Sequence, residues 1–157
     1  MTMKFAARIV FAVAVIFSLV MSSGCKKHKD EPVPVTDTQL DLLTKGAWKA
    51  TSVKLDGADK TADYSAFQLT MSGTKPNTTF NFTTSGRPTL SPWPESGNFT
   101  FDTASPTTTL SRNDTPPVSV QYAATATQLT MKFTFSGNGY TARVGNVKGV
   151  WDFTFTH

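Results

Sequence analysis

The sequence predicts an all-β fold, a single antiparallel, up-and-down β-barrel of eight strands behind a short N-terminal helical turn. Three observations carry that expectation. From Trp48 onward apolar residues recur at every second position, with Thr, Ser, Asn or Lys between them, which is the spacing of strands with one buried and one wet face. Turn-forming pairs separate these runs at short intervals, which favours a meander of neighbouring strands. The chain has 157 residues, one domain's worth once an export signal is removed, so a two-domain enzyme is excluded.

The first segment is that signal. Residues 1–8 carry Lys4 and Arg8 and no acid, and an uncharged, mainly apolar run from Ile9 to Met21 follows. These are the n-region and h-region of a secretory signal peptide over 1–24. Thirteen residues are too few for a helix across a bilayer core, which needs about 20. Next stands Ser22-Ser23-Gly24-Cys25, with small residues before the only Cys in the chain. This resembles the lipobox of bacterial lipoproteins, with Ser22 where an aliphatic residue is usual. The resemblance implies cleavage between Gly24 and Cys25 and lipid attachment at Cys25. The plainer alternative is an ordinary signal-peptidase site with a Cys nearby. With one Cys no disulfide forms within a monomer, so stability must come from the core.

Residues 25–37 read as the lipidated Cys and a tether. Lys26, Lys27 and Lys29 are followed by Asp30, Glu31 and the spaced prolines Pro32 and Pro34, with no periodicity that buries a face. An extended stretch of twelve residues would reach about 37 Å. Lys29-Asp30-Glu31 is similar to short charged signals that route some lipoproteins to the outer face of the outer membrane, and a solvated linker is the alternative. The localisation expected is the cell envelope, most readily the outer membrane, with the lipid anchor as the membrane contact.

The net charge of +4 lies mostly in this leader and tether. What remains is nearly neutral, so a nucleic-acid-binding face is excluded.

The barrel domain is expected over 38–157. Thr38 is a candidate N-cap and Gly46 a candidate helix C′ residue. Strands are then expected over Trp48–Leu55 and Thr107–Arg112, and through Phe67/Leu69/Met71, Phe80/Phe82, Phe99/Phe101, Val118/Val120/Tyr122, Leu129/Met131/Phe133/Phe135 and Trp151/Phe153/Phe155. Turns are expected at Asp56-Gly57, Ser72-Gly73, Ser85-Gly86, Ser96-Gly97 and Ser136-Gly137-Asn138-Gly139. Closing eight strands removes both exposed edges. A two-sheet sandwich is the competing arrangement, since the stretches 56–65 and 87–95 are long enough to cross a sheet end.

The stretch Leu42 to Val53 containing Gly46-Ala47-Trp48, followed by Asp56-Gly57, resembles the opening of lipocalin-like domains in bacterial envelope lipoproteins. Trp93 to Phe101 and Gly149 to Phe155 extend the resemblance, which covers about 38–157. It implies that Gly46 and Trp48 are structural and that Trp48 plugs the closed end of the barrel. No Thr-Asp-x-x-Tyr occurs, and no Arg follows the last strand. Arg143 precedes it instead.

Side chains suited to catalysis are scarce. His28 lies in the tether and His157 is the last residue. No Gly-x-Ser-x-Gly elbow, His-Glu-x-x-His, Cys pair or phosphate loop occurs. No enzyme activity, cofactor or metal is expected. Asp56, Asp59 and Asp63 are the one acidic cluster, and without an EF-hand's central Gly and closing Glu they read as a solvated loop.

Aromatics are plentiful, with 12 Phe, 3 Trp and 3 Tyr, and at strand spacing they are core. Trp93, between Pro92 and Pro94, either caps a barrel mouth or offers a stacking platform. Tyr140 is the second candidate mouth residue, and these two are the candidate ligand-binding residues. Asp102-Thr103-Ala104 is similar to an O-glycosylation site of some bacterial envelopes, with Thr103 as acceptor, and a β-turn explains it equally.

The function expected is binding of a small apolar or amphipathic ligand at the barrel mouth, without catalysis. The alternative is a structural or accessory surface lipoprotein whose barrel is filled and whose surface contacts a protein or glycan. If Phe80, Phe82, Phe99, Phe101, Phe133 and Phe135 meet inside, the alternative gains. For the anchor, Cys25→Ser should move the protein from the membrane to the soluble fraction, and continued recovery with the membrane on fractionation would overturn the lipid attachment.

Overall fold

The computed structural model describes residues 32–140 and 147–157. The expected signal peptide, Gly24, Cys25, the charged part of the tether and Arg143 lie outside them.

Eight strands form the barrel: β1 (Ala47–Leu55), β3 (Gln68–Ser72), β4 (Thr79–Ser85), β5 (Ser96–Phe101), β6 (Thr109–Arg112), β7 (Val118–Ala124), β8 (Gln128–Phe135) and β9 (Gly149–Thr156). A two-residue β2 (Ala58–Asp59) folds back on the end of β1, pairing Lys54 with Asp59. Each barrel strand pairs antiparallel with the next, and β9 returns to β1, where Lys49 faces Thr156 and Leu55 faces Trp151. The meander is thus complete and no strand of the eight has a free edge. Neither long stretch crosses a sheet end. Both 56–67 and 86–95 join sequential neighbours at one end of the barrel, so the sandwich alternative falls away.

Alternation in the sequence becomes alternation in burial. Along β4 the pattern is strict, with Phe80, Phe82 and Thr84 buried between exposed Thr79, Asn81, Thr83 and Ser85. Along β8, Leu129, Met131, Phe133 and Phe135 face inward. Thr, β-branched and polar at one end, suits the outer positions of a strand whose other face is buried. The turn at Asp56-Gly57 forms as expected, with φ of 49° and 83°, the left-handed pair that a tight hairpin requires and that Asp and Gly tolerate.

Ser96-Gly97 is not a turn. Both residues lie in β5, Gly97 opposite Phe82. A Cβ on Gly97 would come within 2.8 Å of the Phe82 ring, so this glycine supplies room for an inward aromatic rather than a change of direction.

Helix α1 (Val35–Leu43) starts earlier than the expected Thr38 and stops before Gly46, so the folded domain begins within the segment assigned to the tether. Thr38 is inside the helix. No side chain caps the N-terminus, but Asp37 in the first turn opposes the positive end of the helix dipole. At the other end Thr44 is the C-cap, and its N–H and its hydroxyl both donate to the Leu40 carbonyl, at 2.9 and 2.7 Å. The glycine is not the stop signal. A Cβ on Gly46 would meet His157 at an ordinary 3.4 Å.

The helix closes one end of the barrel, hereafter the helix end. Leu40 and Leu43 are buried against it, and Trp48 at the start of β1 is wholly buried with its indole N–H donating to the Leu43 carbonyl at 2.9 Å. Over this indole lies the His157 ring, 3.8 Å between centroids and tilted 30°. The end of β9 thus covers the indole with a histidine ring. Truncating Trp48 removes a large side chain that neither helix nor strand can collapse to replace. Trp48→Ala should cost about 3–5 kcal/mol in urea unfolding, and a loss below about 1 kcal/mol would show that Trp48 does not close this end.

Candidate binding surface at the loop end

The opposite, loop end is where the longer connections gather. The turns after β1, β4, β6 and β8 all emerge there, a consequence of the antiparallel order. The connection after β4 does not stay outside. It turns inward and places Trp93, with no exposed surface, on the barrel axis. The indole has ring neighbours on several strands: Phe133 at 5.3 Å, Phe153 at 5.7 Å, Phe82 at 5.9 Å and Phe99 at 6.3 Å, mostly edge-to-face. Such arrangements set the positive edge of one ring against the negative face of the next.

Hydrogen bonds around Trp93 fix the loop in this position. The Trp93 N–H donates to Ser91 Oγ at 3.1 Å, Arg87 Nη1 donates to the Trp93 carbonyl at 3.1 Å, and Arg112 Nη2 donates to the Pro92 carbonyl at 2.9 Å. Arg112 is itself wholly buried. Its charge is met by Asp114, with Nε to Oδ1 and Nη2 to Oδ2 both 2.7 Å. The guanidinium carbon lies 4.8 Å from the ring centres of both Trp93 and Phe133, within cation–π range. Arg112 Nη1 and Trp93 Nε1 have no acceptor among the described residues.

Trp93 is therefore a plug. Of the two alternatives, a cap of the mouth or a stacking platform, the platform falls away, because the loop's hydrogen bonds hold the ring with no exposed surface for a bound molecule. All six phenylalanines are buried, and Phe80, Phe82, Phe99 and Phe101 meet one another directly, while Phe133 joins them through Trp93 and Phe135 packs on Tyr140. Phe82 lies 4.7 Å from Phe99, Phe80 lies 5.1 Å from Phe101, and Phe133 stacks 6.0 Å from Phe153, while Phe135 is 5 % exposed.

A cleft of about 460 Å³ lies on the outer wall of β6 to β9, with Gln121, Lys132 and Asp152 on it, and two others are on the rim. One, of about 490 Å³, lies between the 113–119 connection and the turn 135–140, with Pro116, Pro117, Ser119, Thr134, Asn138 and Tyr140 on its walls. Another, of about 350 Å³, is more apolar and includes Leu55, Tyr64, Leu90 and Trp151. Trp93 lines neither.

Tyr140, on the wall of the larger rim cleft, is 39 % exposed. Its hydroxyl donates to Asp114 Oδ2 at 2.6 Å and its ring packs 5.7 Å from Phe135, so one carboxylate ties it to Arg112 and through Arg112 to the plug. Burial, and then the Asp114 charge, push the Tyr140 phenol up to about 12. Burial likewise raises Tyr64 and Tyr122.

The acidic trio is not gathered at one point. Asp56 Oδ1 accepts the Val150 N–H at 2.8 Å, whereas Asp59 Oδ1 accepts the Thr61 hydroxyl and N–H, which hold its carboxyl below the usual range. Among the described residues no three His, Cys, Asp or Glu lie close enough together to hold a metal ion. Thr103 is exposed beside a turn in which Asp102 Oδ1 accepts the N–H groups of Ala104 and Ser105.

No family model, curated protein or solved structure matches this chain.

The residues that sequence reasoning missed are Arg112 and Asp114. Leu110 and Arg112 share the inward face of β6, so a charge at the second inward position, with an acid two residues later, was the available signal.

All three tyrosines ionise more readily unfolded than folded. Their contribution to stability is therefore complete below the ordinary tyrosine value of 10 and falls as pH rises, for Tyr140 through about 12. A near-ultraviolet absorbance titration should show little phenolate forming near pH 10 in the folded protein, with thermal stability declining above it. Three ordinary titrations near 10 would overturn this.

Proposed function

We propose that the chain is a lipid-anchored cell-envelope lipoprotein whose filled barrel is a rigid scaffold, presenting rim and outer face to a protein or glycan and performing no catalysis. The anchor reading rests on the h-region and Ser22-Ser23-Gly24-Cys25. For the mode of binding, one observation carries the proposal: the indole of Trp93 occupies the axis on which a small apolar ligand would otherwise sit. Apolar side chains packed edge-to-face around that indole take up interior space that a small-molecule site, about 300 Å³ and upward, would need.

Binding of a small apolar molecule at the mouth is the second reading. It is favoured by the cleft between Leu55, Tyr64, Leu90 and Trp151, where the walls are largely apolar. A fluorescent fatty acid separates the two readings. The scaffold reading expects no saturable uptake by the wild-type chain and measurable uptake once Trp93→Ala removes the plug. Where Trp93→Ala does not fold, Trp93→Leu serves, keeping apolar packing while shortening the side chain. Saturable uptake by the wild type would overturn the scaffold reading and favour the apolar cleft.

A further inference from the structure

The larger rim cleft has a chemistry of its own. Its single charged wall residue, Asp114, has both oxygens engaged by Arg112 and one also by the Tyr140 hydroxyl, and its side chain is only 5 % exposed. A cationic ligand would have to compete with a buried guanidinium already in place, and an anionic ligand would meet a carboxylate with no cation beside it among the described residues of the wall. The cleft suits a neutral molecule.

Its remaining polar side chains are hydroxyls and an amide: Thr115, Ser119, Thr134, Ser136 and Asn138, all exposed. Its apolar surfaces are Pro116, Pro117 and the Tyr140 ring, none of them flexible. Tyr140 is held at both ends, by the hydroxyl on Asp114 and by the ring on Phe135, so little side-chain entropy is lost when something stacks on it. A flat, fixed aromatic beside hydroxyl and amide groups, without charge, matches a pyranose, which has a C–H face and a rim of hydroxyls.

A second observation extends the argument beyond the cleft. The outward positions of β3 to β7 hold no charged residue. They are Gln68, Thr70 and Ser72, then Thr, Asn and Ser along β4 and β5, and Thr109, Ser111, Ser119, Gln121 and Ala123. Across these strands Thr79 faces Thr100, Thr100 faces Ser111, and Ser111 faces Ser119. This row of hydroxyls ends at Ser119, on the cleft wall. Neighbouring strands are about 4.8 Å apart, close to the length of one pyranose residue. The row continues the cleft along the direction in which a saccharide chain would run.

We propose that the cleft between the 113–119 connection and the 135–140 turn binds a neutral saccharide, with Tyr140 as the stacking surface and the Thr79–Thr100–Ser111–Ser119 row as its outward extension. This rests on the scaffold reading above and names the ligand class of its rim.

The test is calorimetric titration of the full chain with neutral oligosaccharides of glucose, mannose, galactose and xylose, and with oligogalacturonate as the charged comparison. Saturable binding of a neutral saccharide is expected, about tenfold or more weaker in Tyr140→Ala and nearly unchanged in Tyr140→Phe, which keeps the ring. Should Tyr140→Ala fold poorly, Ser119→Lys, which sets an exposed charge at the end of the hydroxyl row, should weaken binding similarly. No saturable binding of any neutral saccharide, equal binding by wild type and Tyr140→Ala, or preference for the charged sugar would overturn the site. A null result here with no fatty-acid uptake overturns the saccharide site alone, whereas fatty-acid uptake by the wild type overturns the scaffold reading beneath it.

Discussion

The Trp93 indole on the barrel axis is the contact that the rest of the loop end depends on. A closed barrel of eight strands has an interior just wide enough to be filled by side chains or to hold one small ligand. Here the strands supply phenylalanines from the walls, and the connection after β4 supplies the piece that fills the centre. A loop does not enter a core readily, since it brings backbone groups that need partners. The partners are Arg87, Arg112 and Ser91, which satisfy the carbonyls of Trp93 and Pro92 and the Trp93 N–H. Arg112 can be buried only because Asp114 is at hand. The pair therefore serves to hold a loop in place, which is a role in specificity of structure more than in net stability.

From this clamp the surface chemistry follows. Asp114 faces inward to Arg112 and outward to Tyr140, so the bond that steadies the plug also sets the orientation of a rim aromatic. The wall of the larger rim cleft has Asp114 as its one charged group among the described residues, and that charge is used inside. The result is a scaffold whose inner packing and outer recognition share one carboxylate.

Much of this was legible in the sequence. Strict period-two runs such as Thr79 to Ser85 and Gln128 to Phe135 fixed both strand positions and inward faces, because a one-residue slip would expose every phenylalanine. The hairpin at Asp56-Gly57 was legible because left-handed backbone limits the residues that fit. Other features were not. Gly97 read as a turn, since sequence does not distinguish a glycine needed for φ from one needed for space. The helix boundaries shifted because the start at Val35 has no side-chain cap to mark it in the sequence, and the end at Leu43 comes before Gly46. Trp93 was visible as exceptional, flanked by two prolines, but the direction in which the loop folds depends on Arg112, nineteen residues further on. Only the register of β6 reveals that Arg112 points inward.

The pairing of β1 with β9 closes the seam, and it also brings Gly46 and His157 into contact. The beginning and end of the barrel thus lie side by side at the helix end, while the plug loop and both rim clefts lie at the other. In engineering terms the domain is suited to permutation: joining the two ends with a short linker and opening the chain in an exposed turn such as 125–127 would preserve every strand pair. Loops at the far end could then be lengthened or exchanged independently of how the chain enters and leaves, which separates the part of the sequence that specifies the barrel from the part that specifies what meets it.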